Sequence, residues 1–298
     1  MRPPASKTEL QGRVVAITGG ARGIGLATAK ALARRGALVA IGDLDAGDAR
    51  AAAGQVGSPA LGLALDVTRR ESFEHFLSEV EQQLGALDVL VNNAGIQHVG
   101  LFADESETAT AAQLAVNLGG VMTGTKLALA RMHPRGKGHV VNVASVAGTV
   151  ASPGGATYSA TKHAVVGLSE ALRGELRGTG IATTVVLPAI IATEMADGLG
   201  SARGVRPVPP EAVGEAITRA VVRGRSADVY VPRYTGAINA ALTIMPRRVS
   251  EAIRRALRAD DVLMNVDRTA RARYDSRVRG IDADDSEVTP TTHAVGDG

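Results

Sequence analysis

From residue 13 onward the chain alternates short, continuous apolar runs with stretches whose apolar positions recur at helical spacing. The runs are Val14–Ile17, Leu38–Ile41, Leu61–Leu65, Leu87–Val91, Val140–Val143, Ile181–Leu187 and Val229–Val231. Helical spacing occupies Gly23–Arg35, Arg69–Leu84, Ala109–Met132, Thr157–Arg177 and Pro210–Val222. Strands without polar alternation are buried on both faces, which is the condition of a parallel sheet with helices on each side. Right-handed crossovers then predict an α/β fold, a doubly wound parallel seven-stranded sheet.

The sheet pattern stops at Pro232. Beyond it Ile238, Leu242, Met245, Val249, Ile253 and Leu257 form an apolar stripe at helical spacing, and Pro246 opens a second helix. Arg247, Arg248, Arg254, Arg255 and Arg258 take the other face. Such a stripe predicts packing, on this subunit's core near the active-site edge or on a neighbouring copy. The competing reading is an interfacial helix pair on a membrane. After Gly280 the chain turns acidic and loses apolar content, the signature of disorder. Three parts result: a doubly wound domain over 8–233, a helical C-terminal extension over 234–279, and an acidic tail over 280–298.

Composition narrows the chemistry. The 298 residues include no cysteine, which excludes disulfides, thiolate metal sites and a cysteine nucleophile. Trp is absent and aromatics are 2%, too few for a base-stacking nucleic-acid platform. Net charge is only +3. Met1–Thr8 has no apolar run, so it reads as no signal peptide, and no segment of 18 predominantly apolar residues exists. The expectation is a cytoplasmic protein that binds no nucleic acid.

Thr18-Gly19-Gly20-Ala21-Arg22-Gly23-Ile24-Gly25 follows the first strand and opens the first helix. Glycines there let the backbone approach a pyrophosphate, whose charge a helix N-terminus favours. Asp43 ends the second strand, where a carboxylate can accept hydrogen bonds from both adenosine ribose hydroxyls. Asp66 and Val67 end the third strand, and Asn92-Asn93-Ala94-Gly95 end the fourth. Individually these could be helix caps and turns. Together they fall on one edge of the sheet, as the crevice of a Rossmann fold requires.

Tyr158 and Lys162 stand at i and i+4, which places them on one helix face about 5–6 Å apart. Ser145 ends the strand before. A Tyr at its ordinary pKa of about 10 is a poor base near neutrality. A Lys ammonium at ~4 Å contributes about 4 kcal/mol at an effective dielectric of 20, enough to lower it by two to three units. Ser145 could then hold a substrate oxygen while Tyr158 takes or gives its proton.

These elements, with Asn117 and their mutual spacing, resemble the short-chain dehydrogenase/reductase family from about Leu10 to Pro232. The resemblance implies Tyr158 as general acid/base and Ser145 as the group positioning the substrate oxygen. Lys162 would lower the Tyr pKa and bind the nicotinamide ribose, and Asn117 would hold a water in the proton relay. It also implies cofactor contacts at Pro188, Ile191 and Thr193. Ala189 stands where the family usually has Gly, which puts the local backbone in question. Gln97, His98, Ala147, Ile190 and Met195 are candidate substrate-pocket residues, and their apolar character points to a hydrophobic substrate. The expected activity is NAD-dependent interconversion of a secondary alcohol and a ketone or aldehyde, with no metal. Because Arg22 could meet a 2′-phosphate, the alternative is an NADPH-dependent carbonyl reductase. A dinucleotide-sensing binding protein without turnover is a third reading. The resemblance further implies a homo-oligomer, a dimer or tetramer formed through the two long helices.

Overall fold

The computed structural model describes residues 9–57, 59–200, 206–256 and 259–284. Seven parallel strands form one sheet: β1 (Val14–Thr18), β2 (Leu38–Asp43), β3 (Ala60–Ala64), β4 (Leu87–Asn92), β5 (Gly138–Val143), β6 (Ile181–Pro188) and β7 (Ala227–Val231). Their order in space is β3-β2-β1-β4-β5-β6-β7. The chain reverses its direction of travel across the sheet between β1 and β4, which opens a crevice at the carboxyl ends of those strands.

Period-two geometry divides the strands between two apolar layers. Val14, Ala16 and Leu90 face one layer with Phe73, Phe76 and Leu127. Val15, Ile17, Val89 and Val91 face the other with Leu32 and Ile217. The covering helices are α1 (Gly23–Ala33), α2 (Ala46–Val56), α3 (Arg70–Leu84), α4 (Glu107–Leu114), α5 (Val121–Met132), α6 (Ala156–Glu175) and α7 (Pro210–Arg223).

The structure departs from the sequence expectation in three places. Helix α2 was not expected: it buries only Ala49, Ala52 and Ala53, too small a stripe to read as a helix face. The single helix expected over Ala109–Met132 is interrupted by a π-helical turn, Ala115–Gly120. The extension forms α8 (Tyr234–Ile244), α9 (Arg247–Ala256) and α10 (Arg268–Asp284), but its apolar stripe is not buried. Of the stripe, Ile238 and Val249 are exposed, Leu242, Met245 and Ile253 are half-buried, and Leu257 lies outside the described residues; α8 rests on β7 through Gly236 and Asn239. The part that does cover the active-site edge is 259–284, whose Val262, Leu263, Tyr274 and Val278 are buried. The tail expected to be disordered over 280–298 lies largely outside the described residues, and α10 runs as far as Asp284.

Candidate active site

The glycine-rich turn is shaped by close approach. Gly19 and Gly23 have φ of 60° and 50°, left-handed values that favour glycine. A Cβ on Gly19 would sit 2.8 Å from Ala94 Cα, and one on Gly25 would sit 2.3 Å from Gly19 O. The ends of β1 and β4 are laced together here. Thr18 Oγ1 accepts from the backbone N–H groups of Asn93 and Ala94, both at 3.0 Å. Asn93 Nδ2 donates to Thr18 O at 3.0 Å and Gly19 O at 2.9 Å. Helix α1 has no side chain capping its N-terminus, so its first amides are available to an anion beside the turn.

Asp43 lines the same cavity, and its Oδ2 accepts from Ala21 N at 3.1 Å. Burial pushes its carboxyl up, while the Ala21 N–H and the Arg22 guanidinium pull it down. Arg22 forms an ion pair with Asp48. Asp66 closes a turn by accepting from Thr68 N at 2.9 Å and Thr68 Oγ1 at 2.6 Å, and it lines the cavity together with Val67.

The catalytic candidates converge at the far end of the crevice. Ser145 Oγ accepts from Ala147 N at 3.1 Å and donates to Pro188 O at 3.5 Å, and it lies close enough to the Tyr158 phenol to lower its pKa. Tyr158 and Lys162 are both buried on one face of α6. Asn117 sits in the π turn. Its Oδ1 accepts from Ile96 N at 2.8 Å, and its Nδ2 donates to Ile96 O at 2.9 Å and Thr161 Oγ1 at 3.2 Å. The side-chain amide is therefore mainly engaged in holding Ile96 and Thr161. Gly95 faces both groups: a Cβ there would lie 3.2 Å from Asn117 Oδ1 and 3.5 Å from Lys162 Nζ.

The electrostatics differ from the sequence expectation. Burial pushes the Tyr158 phenol up to about 12, opposed by the Ser145 hydrogen bond. Burial also pushes the Lys162 ammonium down to about 8. Lys162 Nζ donates to Val143 O at 3.0 Å and stands 5.6 Å from the Tyr158 ring centroid. Desolvation therefore outweighs the attraction that the sequence argument placed at ~4 Å.

One cavity of about 690 Å³ joins these groups, a volume within the usual range of ligand sites. It is lined by Gly19, Arg22, Gly23, Ile24, Gly95, Ala94, Asn93, Pro188, Ile191 and Thr193, and by Ser145, Tyr158 and Lys162. Of the expected pocket residues Gln97, Ala147, Ile190 and Met195 line it as well. Three expected residues do not. Gly25 lies behind the turn against Gly19 O, Asn117 is buried behind Ile96, and His98 is drawn to α4 by its N–H, which donates to Gln113 Oε1 at 3.2 Å. Ala189 causes no break: its N–H donates to Val231 O at 2.8 Å and extends the β6–β7 ladder.

Sequence reasoning missed the roof of the cavity. Val262, Leu263, Tyr274, Arg277 and Val278 line it from the extension. Tyr274 Oη accepts from Gln97 N at 2.8 Å, and Arg277 pairs with Glu194 in the loop after β6. The only trace in the sequence is Tyr274 and Val278 at i and i+4 in an otherwise polar, Arg-rich helix.

Residues 13–204 match the profile of the family described as short chain dehydrogenase. The chain is 41% identical over 185 residues to 2-(S)-hydroxypropyl-CoM dehydrogenase 3 of Xanthobacter autotrophicus, covering 61% of this chain and 72% of the relative. It is 34% identical over 239 residues to the 3-oxoacyl-(acyl-carrier-protein) reductase of Haemophilus influenzae, covering 78% and 99%. A putative ketoacyl reductase of monensin polyketide synthesis from Streptomyces virginiae is 40% identical over 194 residues, covering 63% and 74%.

Proposed function

The chain belongs to the short chain dehydrogenase family, and on that premise we propose that it is a NAD-dependent oxidoreductase interconverting a secondary alcohol and a ketone or aldehyde on a hydrophobic substrate. The observation that carries this reading is a single cavity with Asp43 and the glycine turn at one end and the Ser145–Tyr158 pair at the other. The names of the relatives agree with it: one is a dehydrogenase of a hydroxypropyl compound, the others reductases of oxo compounds.

The residues fit a nicotinamide dinucleotide. A Cβ on Gly19 or Gly25 would fill the turn, α1 offers uncapped amides to a pyrophosphate, and Asp43 offers a carboxylate to ribose hydroxyls. When bound, the dinucleotide supplies or accepts the hydride. Lys162, which lines the cavity, would donate to its second ribose. Ser145 holds the substrate oxygen by hydrogen bond. Tyr158, with its phenol pushed up, keeps its proton near neutrality and donates it to that oxygen during reduction. In oxidation the phenolate form of Tyr158 takes the proton of the alcohol. Ile96, Ile190, Val262 and Leu263 exclude water from this end.

NAD is favoured over NADP because Asp43 faces the cavity while Arg22 is engaged by Asp48. The proposed assembly is a homo-oligomer. Incubation of the purified protein with NAD or NADP and a panel of alcohols, and with the reduced cofactors and ketones, tests the activity through nicotinamide absorbance at 340 nm, the standard optical readout of hydride transfer by such cofactors. Turnover with a secondary alcohol and NAD is expected. Tight dinucleotide binding without turnover on any substrate would establish a binding protein instead.

A further inference from the structure

Helices α8 and α9 are built inside out. α8 stands on β7, an edge strand of the sheet, and meets it through Gly236 and Asn239, with Leu242 half-buried beside them. A Cβ on Gly236 would lie 2.9 Å from the Tyr230 ring, and Asn239 Nδ2 donates to Tyr230 Oη at 3.1 Å. The apolar side faces out: Tyr234 is 59% exposed, Ile238 51% and Ile244 85%, with Ala237 and Ala240 exposed between them. A helix packed for its own core would show the opposite arrangement.

α9 repeats the pattern. At ~100° per residue, Val249, Ala252, Ile253 and Ala256 share one arc, with Ile253 half-buried, and Arg248, Glu251 and Arg255 flank it on one side. Val249, Ala252 and Ala256 are nonetheless exposed, as are Arg248 and Arg255. The helix sequence RRVSEAIRRA has four arginines against one glutamate. Two consecutive helices therefore present exposed apolar faces, the second bordered by positive charge.

The chain continues from α9 through the 259–261 turn into Val262 and Leu263, which line the cavity. Leu263 packs against Gly154 and Gly155, and Gly100 N–H donates to Gly154 O at 2.9 Å. Next to that contact Leu101 and Phe102 are 54% and 65% exposed. The exposed segment is thus continuous in the chain with the roof of the cavity, and that roof meets a second cluster of exposed apolar side chains.

We propose that the α8–α9 segment is a docking surface for an anionic lipid bilayer, lying in the headgroup layer with its exposed apolar side chains down and its arginines among the headgroups. Apolar and cationic faces on one short helix are the signature of interfacial binding, and cations near an anionic surface add to it. A two-fold contact with a second copy fits the charge less well, because it would bring the arginine-rich borders of two such segments together. Among the described residues no helix is long and apolar enough to cross a membrane, so the contact is peripheral.

The test is co-sedimentation of the full chain with vesicles at physiological salt, phosphatidylcholine alone against equal parts phosphatidylcholine and phosphatidylglycerol. Binding to the anionic vesicles and little to the neutral ones is expected. Ile238→Asp with Ile244→Asp should lower the partition by more than tenfold and leave turnover intact. Arg248→Gln and Arg255→Gln should each lower it about fivefold. The chain has no Trp, so Ile244→Trp gives a clean reporter that keeps the face apolar. Its emission should move to the blue on adding anionic vesicles. An emission that stays at its solvent-exposed position overturns the proposal. So does vesicle binding that ignores the Ile variants, since that is adsorption by general charge. Absence of vesicle binding, with the Ile variants splitting an oligomer, makes a second copy the occupant and also overturns it.

Discussion

Arg271 Nη2 donates to Gln97 O at 2.9 Å, joining α10 to the segment after β4. The same guanidinium donates through Nη1 to Met195 O at 2.8 Å and to Asp197 O at 3.4 Å. Arg271 is 0% exposed, and its Nε lies 3.1 Å from Asp275 Oδ1. One planar fork thus ties three stretches of chain, the two walls of the substrate end and its roof, into a single enclosure. Glu194–Arg277 is a second tie between the loop after β6 and α10.

Arg271→Met should therefore damage both stability and substrate binding. It keeps the volume but strands three carbonyls that the fork had satisfied. A loss of about 3 kcal/mol is expected, together with a raised KM for substrate and a smaller change in KM for dinucleotide. Arg271→Lys should not rescue, because an ammonium cannot reach three acceptors in one plane. Chemical denaturation and steady-state kinetics on both variants check this, and equal stability of Arg271→Met and the parent would remove the tie.

Tyr158→Phe should fold, bind dinucleotide and lose turnover by about 10²–10⁴-fold. Only the hydroxyl leaves, so the packing of α6 against Ser145 survives. The direction of the phenol's displacement also sets a pH dependence. With the value pushed up to about 12, the fraction of phenolate is small at neutrality and grows about tenfold per pH unit. Oxidation should rise with pH through the neutral range, while reduction should not need deprotonation of Tyr158. A flat oxidation profile from a rate-limiting chemical step would contradict Tyr158 as the base.

Much of this was legible in the sequence. The central strands β1, β4, β5 and β6 read as largely apolar runs because they are buried on both faces, the edge strands β3 and β7 are only partly buried, and the two layers follow from alternation within runs such as Val14–Ile17. The site residues at strand ends, Asp43, Asn93 and Ser145, were legible because the crevice fixes where ligand groups must fall. The Tyr158–Lys162 pair was legible from one helical turn. The strength of their coupling was not, because it depends on burial and on Lys162 turning to Val143 O. The roof was illegible for a different reason. Tyr274 and Val278 make too thin a stripe to mark a buried face, and Arg271 reads as one more surface arginine until its three carbonyl partners are in view. The exposed stripe of α8 and α9 had the right period for burial; which way it faces is decided by Gly236 and Asn239 against Tyr230.

His139 predicts acid sensitivity of the fold itself. It is buried in β5 with Nε2 2.9 Å from Thr184 Oγ1, and burial pushes its imidazole down to about 4. The folded value lies below the unfolded value of about 6.5, so the unfolded chain binds the proton first. The contribution of neutral His139 is complete above that unfolded value. It is lost as pH falls through the window down to about 4, by about 3 kcal/mol in all. Urea midpoints measured across that window should fall for the parent. The slope should be reduced in His139→Asn, and an unchanged slope would mean that other groups carry it.

Cofactor choice turns on Asp43, Arg22 and Asp48. Asp43 faces the cavity and is held by Ala21 N–H. A 2′-phosphate there would set two anions side by side, which costs several kcal/mol in a partly desolvated site. Arg22 could offset that repulsion, yet it is engaged by Asp48. On the proposed reading the two carboxylates would act together, one repelling the phosphate and the other occupying the cation that would receive it. Asp43→Ala should raise the NADP-to-NAD ratio of kcat/KM by at least about tenfold. Asp48→Ala should also raise it, by less, because it frees Arg22 without removing the repulsion. The double variant should exceed either alone. A parent protein that already prefers NADP would show that Arg22 reaches the ribose end despite its ion pair, and an Asp48→Ala variant with an unchanged ratio would show that the Arg22–Asp48 pair plays no part in the choice.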